Sequence, residues 1–354
     1  MKTIILTGGG TAGHCIPCFA LLPDLKNTFD EIYYIGGKDK IENKLAKKYG
    51  VTFFDIPTVK FERKLTFKNF LIPIKLAKAI SSAKYIIKNL KPNVVFSKGG
   101  YVALPVVIAA KKLNVPVISH ESDLSIGLAN KIAVKFSSAF LTGFETTAET
   151  VKNAEYTGIP LDKSIFKRRD KRAVLKKYGL DEKKPTVLIT GGSQGSSAIN
   201  RAVLNSAPAL AKNYNLIWLC GKGKRQSVET NNVYQTEFCD DMGEIYAAAD
   251  VCVSRAGANT LFELIALCIP TLAIPLPKGN SRGDQEENAE YFGKKGVLTV
   301  LAENDLSPDS LINSIEKLFK NKNRYIAACK KLNLTSANEK VLSVINRIAK
   351  KSNP

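Results

Sequence analysis

Three side chains near the N-terminus have types and spacing that could support metal or redox chemistry. Cys15 and Cys18 form a C-x-x-C pair directly after His14, within IILTGGGTAGHCIPCFALL at 4–22. A structural zinc site needs four ligands, but there is no second C-x-x-C, and the other histidine, His120, is distant in sequence. A redox pair is chemically reasonable at a helix start, where the dipole lowers the pKa of a thiol. Nothing else matches a thioredoxin-like domain, so we favour cysteines that pack as small hydrophobes, and we predict no metal.

The glycines of the same stretch offer two further chemistries. Gly8, Gly10 and Gly13 fit G-x-G-x-x-G after a predicted strand, which alone is a weak signal for a dinucleotide. Such a site needs an acid at the end of the second strand, and YYIGGKDK places Asp39 too late. The alternative is that the glycines let backbone N–H groups approach another anion at the positive end of a helix.

Two later strand-to-helix turns repeat that arrangement. They are GGSQGS at 191–196 and SRAGANTLFE at 254–263. Together the three turns suit a substrate that carries a diphosphate and further groups. Glu263 could accept hydrogen bonds from a ribose diol, and Gln285 and Asn288, three residues apart on one helix face, could recognise sugar hydroxyls.

Polar residues also follow two strands of the first half, in SKGGYVALP at 97–105 and SHESDLSIGLANK at 119–131. The GGY turn can approach a ligand closely. His120 and Glu121 leave two roles open, a catalytic one and a satisfied pair at a strand end. The structural role is slightly favoured for His120.

The elements that position these residues alternate between strands and helices. Apolar runs separated by helix-length segments indicate parallel sheets covered on both faces. The predicted strands are 2–7, 31–35, 51–56, 94–97, 116–119, 138–142, 186–190, 215–220, 234–238, 250–253, 270–274 and 296–300. LTGGGTAG and ITGGSQGS each follow the first strand of a half. The sequence therefore predicts an α/β fold of two doubly wound domains, a linker at 158–172 and a last helix from Ser336 to Lys351.

Composition and charge restrict the class of protein. The chain has 354 residues, 45% of them hydrophobic, and a formal net charge of +20, which favours an anionic partner. There is no run of about 18 apolar residues that could span a bilayer. The N-terminus lacks the pattern of a signal peptide, and the seven scattered cysteines are typical of a reducing cytoplasm.

The basic charge of the first half is concentrated in residues 59–92. This segment holds nine basic residues and one acid, Glu62. Lysines there alternate with Phe61, Phe67, Phe70, Leu71 and Ile74. Such a surface is expected to lie on the anionic inner leaflet of a membrane. Alternatively, the apolar residues dock a helix onto the sheet and the lysines are solvated.

Six motifs resemble, in order and rough spacing, those of the MurG family of peptidoglycan N-acetylglucosaminyltransferases. They are GGGTAGH, KGGYVALP, HESDLSIGLANK, TGGSQGSSAIN, DDMGEIYAAADVCVSRAGANTLFE and PLPKGNSRGDQEENA. The resemblance implies a GT-B fold, in which two Rossmann-like domains face a central cleft. It implies transfer of N-acetylglucosamine from UDP-GlcNAc to the muramyl C4 hydroxyl of lipid I (undecaprenyl-pyrophosphoryl-MurNAc-pentapeptide), which gives lipid II. A domain at 1–160, with the helix at 336–354, would take the lipid acceptor, and 161–335 would bind UDP-GlcNAc.

Carried over by position, the resemblance implies a set of UDP-GlcNAc-binding residues. These are Thr11, Ala12 and Gly13 at the diphosphate, Ser193 on the second glycine turn, Cys239 at uracil, Ala258, Asn259, Thr260, Leu261, Phe262 and Glu263 at phosphate and ribose, and Gln285 at the sugar. Two positions depart from the family pattern. Asp123 stands where many members carry asparagine, and it can still accept a sugar hydroxyl. Asp162 stands where a donor-binding arginine is expected.

The implied reaction is an inverting displacement without a covalent enzyme intermediate. A general base must take the proton of the acceptor hydroxyl, and His14 is the candidate because it follows the glycine loop and has a suitable pKa. No D-x-D motif follows a strand, so we expect neither metal nor cofactor. The expected location is the cytoplasmic face of the cell membrane, as a peripheral protein.

Three other functions are weighed against this one. A nucleic-acid binder would explain the charge but not the glycine turns, so we expect no nucleic acid partner. An NAD-dependent oxidoreductase would explain GGGTAG but lacks the acid. Another UDP-sugar:glycolipid glycosyltransferase of GT-B fold, such as a diacylglycerol galactosyltransferase, is the nearest alternative.

Overall fold

The chain divides into two compact units. A computed structural model describes residues 1–58, 72–279 and 281–351. One unit runs to Asp162 and also contains the C-terminal segment from Ser336, and the other comprises Lys163–Thr335.

The first unit is built on a parallel sheet with the strand order β3-β2-β1-β4-β5-β6-β7. Its strands are β1 (Thr3–Thr7), β2 (Glu31–Gly37), β3 (Thr52–Ile56), β4 (Val94–Ser97), β5 (Val117–Glu121), β6 (Ala139–Thr142) and β7 (Ala154–Tyr156). Ile4 and Leu6 of β1 lie in one apolar core and Ile5 lies in another. Successive side chains of a strand point to opposite faces, so both faces of this sheet are buried.

Helices follow the strands of this unit. They are α1 (Ala12–Ala20), α2 (Leu22–Leu25), α3 (Ile41–Lys48), α4 (Ile72–Leu90), α5 (Ala103–Lys112), α6 (Leu128–Ala133) and α7 (Glu145–Glu149). Phe19 of α1 stacks on Tyr34 of β2, with ring centroids 5.0 Å apart. This aromatic contact helps to fix the helix that follows the first glycine loop.

The second unit repeats the plan of the first. Its parallel sheet has the order β10-β9-β8-β11-β12-β13, so the first strand of each unit pairs with its second and fourth. The strands are β8 (Thr186–Thr190), β9 (Asn215–Leu219), β10 (Val233–Thr236), β11 (Val251–Ser254), β12 (Thr271–Ala273) and β13 (Leu298–Val300). The helices are α8 (Lys171–Lys177), α9 (Ser197–Asn213), α10 (Met242–Ala248), α11 (Ala258–Ala266), α12 (Asp284–Lys294), α13 (Pro308–Lys320) and α14 (Lys322–Leu332).

The last helix, α15 (Ala337–Lys351), belongs to the first unit. Val341 and Ile345 lie in the same apolar core as Ile4 and Leu6. The buried Asn338 amide fixes the start of the helix. Its Oδ1 accepts from the Leu161 N–H at 2.9 Å, and its Nδ2 donates to the Leu161 and Ala20 carbonyls at 3.0 and 3.3 Å.

Each predicted strand is present, and no end shifts by more than two residues. The short β7 was not predicted, because three half-buried residues give no clear alternation. The predicted extent of the linker is wrong. Asp170 caps α8 by accepting from the Arg172 N–H at 3.0 Å, so the end of 158–172 lies inside the second unit.

The predicted membrane-facing residues Phe61, Phe67, Phe70 and Leu71 lie outside the described residues. Of that group, the described part of the chain includes Ile74, on α4. In the described ranges, no helix has both the length and the apolar character needed to cross a bilayer.

Candidate active site

The first glycine loop connects β1 to α1 at the carboxyl end of the strand. Gly10 has φ +90°, and a Cβ on Gly8 would lie 2.3 Å from the His14 carbonyl oxygen. Gly100, from the turn after β4, approaches so closely that a Cβ there would lie 2.3 Å from the Gly9 oxygen. Only glycine fits these positions, and the two turns therefore pack together. Thr11, Ala12 and Gly13 open α1 at this edge and are exposed or partly exposed.

His14 lies in the first turn of α1, and a hydrogen bond to a backbone carbonyl orients its ring. Its Nδ1 is 3.2 Å from the Lys98 carbonyl oxygen, an acceptor, so Nδ1 carries the hydrogen and Nε2 carries the lone pair of the neutral ring. No hydrogen bond joins Nε2 to a described residue. Burial lowers the pKa of His14, while the charges of Glu121 and Asp123 oppose that shift. The ring is therefore neutral at pH 7 and can accept a proton at Nε2.

A buried polar cluster lies behind this loop. The Lys98 ammonium is 2.7 Å from His120 Nδ1 and also contacts the Ser122 hydroxyl. His120 Nε2 is 2.8 Å from the Gly158 carbonyl oxygen. Burial and then the Lys98 charge hold the pKa of His120 well below its usual value. His120 is fully buried and is satisfied on both nitrogens, which supports the structural role rather than the catalytic one.

Glu121, at the end of β5, organises the loop that contains Asp123. Its carboxylate accepts from the backbone N–H groups of Ser122, Asp123 and Gly127 at 2.8, 3.1 and 2.9 Å. It also accepts from Asn130 Nδ2 at 3.0 Å. Glu121 is therefore a structural anchor, and it places the partly exposed Asp123 within electrostatic reach of His14.

The cysteine pair has a packing role. Cys15 and Cys18 are free thiols buried in the core beside Leu6 and Phe19. Burial raises the pKa of Cys18 to about 12 and also raises the pKa of Cys15. A redox pair needs the opposite shift, so the packing interpretation stands. Among the described residues, His, Cys, Asp and Glu form no group of three or more that could hold a metal ion.

A buried carboxylate from α3 packs against this loop. Glu42 accepts from the Gly37 N–H at 3.1 Å and lies 3.5 Å from the Gly10 nitrogen. Asp39, the late acid of the sequence pattern, is exposed and lies beyond the end of β2.

The second glycine turn opens α9 in the other unit. Gly195 has φ +66°, and a Cβ there would lie 2.1 Å from the Cys220 carbonyl oxygen. The Ser196 hydroxyl caps α9 by accepting from the Ile199 N–H at 3.3 Å. Ser193 is exposed on this turn, where its side chain is accessible to a ligand.

Arg255 joins that turn to two neighbouring loops. Its guanidinium donates to the Ser196 hydroxyl at 2.7 Å and to the Ile274 and Pro275 carbonyls at 3.1 Å each. It also pairs with Glu303, which follows β13. A buried guanidinium with these partners holds three loops of the sheet edge in one arrangement.

The third turn leads into α11, and its residues divide by burial. Ala258, Leu261 and Phe262 are buried, so their side chains pack inward and a ligand could meet only their backbone. The partly exposed side chains are Asn259, Thr260 and Glu263. Tyr246 of α10 donates to Glu263 Oε2 at 2.6 Å and lies within electrostatic reach of Cys239.

Gln285 and Asn288 of α12 have different environments. Gln285 is partly exposed, and its Oε1 accepts from the Leu276 N–H at 3.0 Å. Asn288 is fully buried and donates to the Ala256 carbonyl at 3.3 Å. Asn288 thus supports the third turn and Gln285 lies at the surface, and the role in sugar recognition stays a prediction for both amides.

Two family models match the chain. The glycosyltransferase family 28 N-terminal domain matches residues 4–142, and the glycosyltransferase family 28 C-terminal domain matches residues 186–348. The chain belongs to glycosyltransferase family 28. The expected glycosyltransferase class is thus confirmed.

Curated relatives of this family 28 chain extend over its whole length. The UDP-N-acetylglucosamine--N-acetylmuramyl-(pentapeptide) pyrophosphoryl-undecaprenol N-acetylglucosamine transferase of Lachnoclostridium phytofermentans is 42% identical over 98% of this chain and 99% of the relative. The protein of the same name from Clostridium tetani is 40% identical over 98% of each chain. The family resemblance seen in the motifs is therefore confirmed.

Solved structures share the fold of this family 28 chain. Acinetobacter baumannii MurG has a TM-score of 0.75 at 24% identity and covers 98% of this chain and 100% of its own. The UDP-GlcNAc 2-epimerase from Neisseria meningitidis, solved with UDP-GlcNAc bound, has a TM-score of 0.70 at 14% identity, over 98% of this chain and 100% of its own. The expected GT-B fold class, with two Rossmann-like parallel-sheet domains, is confirmed.

Sequence reasoning assigned no role to four residues that shape these sites. Glu42 lies in an ordinary helical pattern, and nothing around it in the sequence marked it. Tyr246 stood inside the quoted motif DDMGEIYAAADVCVSRAGANTLFE, but a tyrosine at helical spacing gave no signal of a polar contact. Lys98 and Arg255 stood inside quoted motifs, SKGG and SRAGANT, where a long cation after a buried strand was an available signal.

Proposed function

We propose that the chain transfers N-acetylglucosamine from UDP-GlcNAc to the muramyl C4 hydroxyl of lipid I, with inversion, to form lipid II. The observation that carries this proposal is the 42% identity, over nearly the full length of both chains, to a relative named for that transfer. The glycine turns of both units agree with it, because backbone N–H groups at helix starts can bind a diphosphate.

The second unit is assigned the UDP-GlcNAc donor. Ser193 and the backbone of Ala258–Phe262 would bind the diphosphate, and Glu263 would accept the ribose hydroxyls. Cys239 would contact uracil through its backbone, and Gln285 would bind the sugar. These assignments are supported by the exposed or partly exposed side chains of Ser193, Glu263 and Gln285. Arg255 joins the second glycine turn to the loop after β12 by its hydrogen bonds to Ser196 and Pro275.

The first unit is assigned the lipid acceptor and the base. His14 would take up the proton of the acceptor hydroxyl on its Nε2. The hydroxyl oxygen would bond to the anomeric carbon while the bond between that carbon and the UDP oxygen breaks. Thr11, Ala12 and Gly13 would face the diphosphate, and Asp123 would accept a sugar hydroxyl. The geometry that supports the base is the Nδ1 contact to the Lys98 carbonyl, which leaves the Nε2 lone pair as the acceptor.

A peripheral position at the cytoplasmic face of the membrane is part of the proposal. On α4, the side chains of Ile74 and Tyr85 are 68% and 71% exposed. The same helix carries exposed lysines, which are Lys75, Lys78, Lys84 and Lys88. Apolar and cationic side chains together suit a surface of anionic lipid. Binding to anionic vesicles should weaken as salt rises, and binding that ignores salt would contradict the electrostatic part.

Ligand protection tests the donor. UDP-GlcNAc should raise the thermal unfolding temperature, because a ligand that binds only the folded state stabilises it. UDP-galactose and NADH are the comparison ligands for the two alternative activities. Stronger protection by either of them than by UDP-GlcNAc would contradict the proposed donor.

Turnover tests the base. With UDP-GlcNAc and a soluble lipid I analogue, His14→Ala should lose about 10²-fold or more in kcat, the usual scale of general base catalysis. Lys112→Ala is the control, since Lys112 is exposed at the end of α5 and is assigned no chemical step. A near-normal kcat for His14→Ala would exclude His14 as the base.

A further inference from the structure

Lys98 is a buried cation that the proposed reaction does not yet use. It follows β4 directly and is 1% exposed. Its backbone N–H donates to the Thr7 carbonyl at 2.8 Å, and its carbonyl oxygen is the partner of His14 Nδ1. Burying an ammonium raises the free energy of the folded state unless the charge is paired, so the partners of Lys98 indicate what the group does.

The hydrogen bonds of the cluster fix the tautomer of His120. Since His120 Nε2 faces the Gly158 carbonyl, that nitrogen carries the hydrogen, and Nδ1 is left as an acceptor. The group 2.7 Å from Nδ1 must then be a donor, which is the Lys98 side-chain nitrogen. The Ser122 hydroxyl supplies a second acceptor. Two acceptors around this nitrogen suit an ammonium behind the glycine loop.

Charges of both signs surround His14. Burial is the largest influence on the His14 pKa and lowers it. Glu121 and Asp123, at and after the end of β5, raise that pKa, and the Lys98 charge acts with burial to lower it. The other titratable groups against this loop are Tyr34 of β2, Glu42 of α3, Tyr101 before α5, and the thiols of α1 itself, Cys15 and Cys18. Lys98 is the cation among these described groups.

We propose that Lys98 is a positioning residue for the transfer reaction. Its carbonyl fixes the His14 ring with Nε2 as the acceptor, and its buried ammonium acts together with the burial of that ring to favour the neutral form against the two neighbouring carboxylates. The inference rests on the proposed role of His14 as the base.

Burial lowers the pKa of Lys98 to about 8, with Glu121 opposing that shift. His14 titrates below its usual value, at a lower pH than Lys98. Lys98 is therefore charged over the range in which His14 gains its proton, as the proposed role requires.

Histidine NMR tests the proposal directly, because the chain contains two histidines and His120→Gln assigns them. Lys98→Met removes the charge and keeps an apolar stem of similar length. The pKa of His14 should rise by about one unit, the scale of a nearby charge. The acidic limb of the pH profile of kcat/KM should move upward by the same amount. Lys112→Met, at the exposed end of α5, is the control and should change neither quantity.

The outcomes separate the two roles. An unchanged His14 pKa in folded Lys98→Met would overturn the Lys98 proposal and leave His14 as the base. If the His14 pKa shifts in Lys98→Met but the pH profile of kcat/KM does not, His14 is not the base. Lys98 would then have no positioning role in the reaction either.

A measurement on the unmodified protein covers the case in which Lys98→Met fails to fold. As Lys98 loses its proton near pH 8, the ring signals of the already neutral His14 should show a second, small inflection. A single inflection, with no change between pH 7 and 9, would overturn the proposal.

Discussion

The Tyr246 hydroxyl and the Glu263 carboxylate are joined by a hydrogen bond of 2.6 Å that links α10 to α11. Tyr246 is almost fully buried, while Glu263 is partly exposed. A carboxylate can accept about four hydrogen bonds, so this contact orients Glu263 without exhausting its acceptor capacity. The carboxylate assigned to the ribose is thus set by a side chain from another helix.

Tyr246→Phe tests that orientation. The variant keeps the ring and loses one charge-assisted hydrogen bond, so kcat/KM for UDP-GlcNAc should fall about tenfold, mainly through KM. Initial rates at varied UDP-GlcNAc measure the change. Tyr325→Phe is the matched control, because the buried Tyr325 hydroxyl shares a hydrogen bond of 2.5 Å with Thr299 and not with a residue assigned to the donor. Equal losses in the two variants would contradict a specific role in donor binding.

Gly195→Ala should distort the second glycine turn. A methyl group there would lie 2.1 Å from the Cys220 oxygen at φ +66°, so the loop must move and thermal protection by UDP-GlcNAc should be lost. Gly179→Ala is the control, with φ +67° and nothing within 4 Å of a Cβ. It should cost only the strain of a left-handed residue, about 1–2 kcal/mol, and keep the protection. Retained protection in Gly195→Ala would show that the close approach is not required.

Asn200→Leu should destabilise the second unit. Asn200 accepts from the Trp218 indole at 3.0 Å and donates to the Cys220 carbonyl at 2.8 Å, and both partners would be left buried without it. The expected loss is about 3 kcal/mol in the free energy of unfolding. Urea unfolding followed by the fluorescence of the single tryptophan reports it. Asn205→Leu, exposed on the same helix, should change stability little, and a comparable loss there would remove the hydrogen-bond explanation.

The buried thiol of Cys18 predicts a loss of stability at alkaline pH. Its folded pKa of about 12 lies above the usual value of 9.0 for a thiol, so its stabilising contribution is complete below pH 9 and is lost as pH rises toward 12. Between pH 9 and 12 the free energy of unfolding of Cys18→Ala should therefore decrease less steeply with pH than that of the unmodified protein. The two slopes should differ by up to about 1.4 kcal/mol per pH unit.

The control for this prediction is Val344→Ala, which removes volume from the same apolar core without a thiol. It should lower stability by a constant amount at each pH. Parallel pH dependences of Cys18→Ala and the unmodified protein would rule out the thiol as the cause.

The sheets and the glycine turns at the carboxyl ends of their strands could be predicted because their signals are local. A parallel strand buried on both faces is a continuous apolar run, and the glycine that follows it marks the turn into a helix. Residues 3–7 and 186–190 carry that signal in full. The strand β7 has three residues, which is too short a run to give this signal. The start of α8, capped by Asp170, was missed because it lies in a run of basic residues that suggested a linker.

The roles of single polar residues depended on burial, which the sequence did not reveal. Gln285 and Asn288 are equivalent on a helical wheel, yet one is at the surface and the other is fully buried against the Ala256 carbonyl. His120 and Glu121 look like an acid–base pair in sequence. Their partners, Lys98 and the N–H groups of the following loop, identify them as structural.

By itself, the sequence determined the two doubly wound sheets, the glycine turns at the carboxyl ends of their strands, and the family. Hydrophobic periodicity, runs of small residues and the order of the motifs can all be read from short stretches of the chain. The tertiary structure alone decided that Lys98 lies behind His14, that Tyr246 orients Glu263 and that Arg255 ties three loops together. These pairs are separated by 17 to 84 residues along the chain. Only the folding of distant strands and helices against one another brings such groups within hydrogen-bond distance, and burial then decides which of them carry charge.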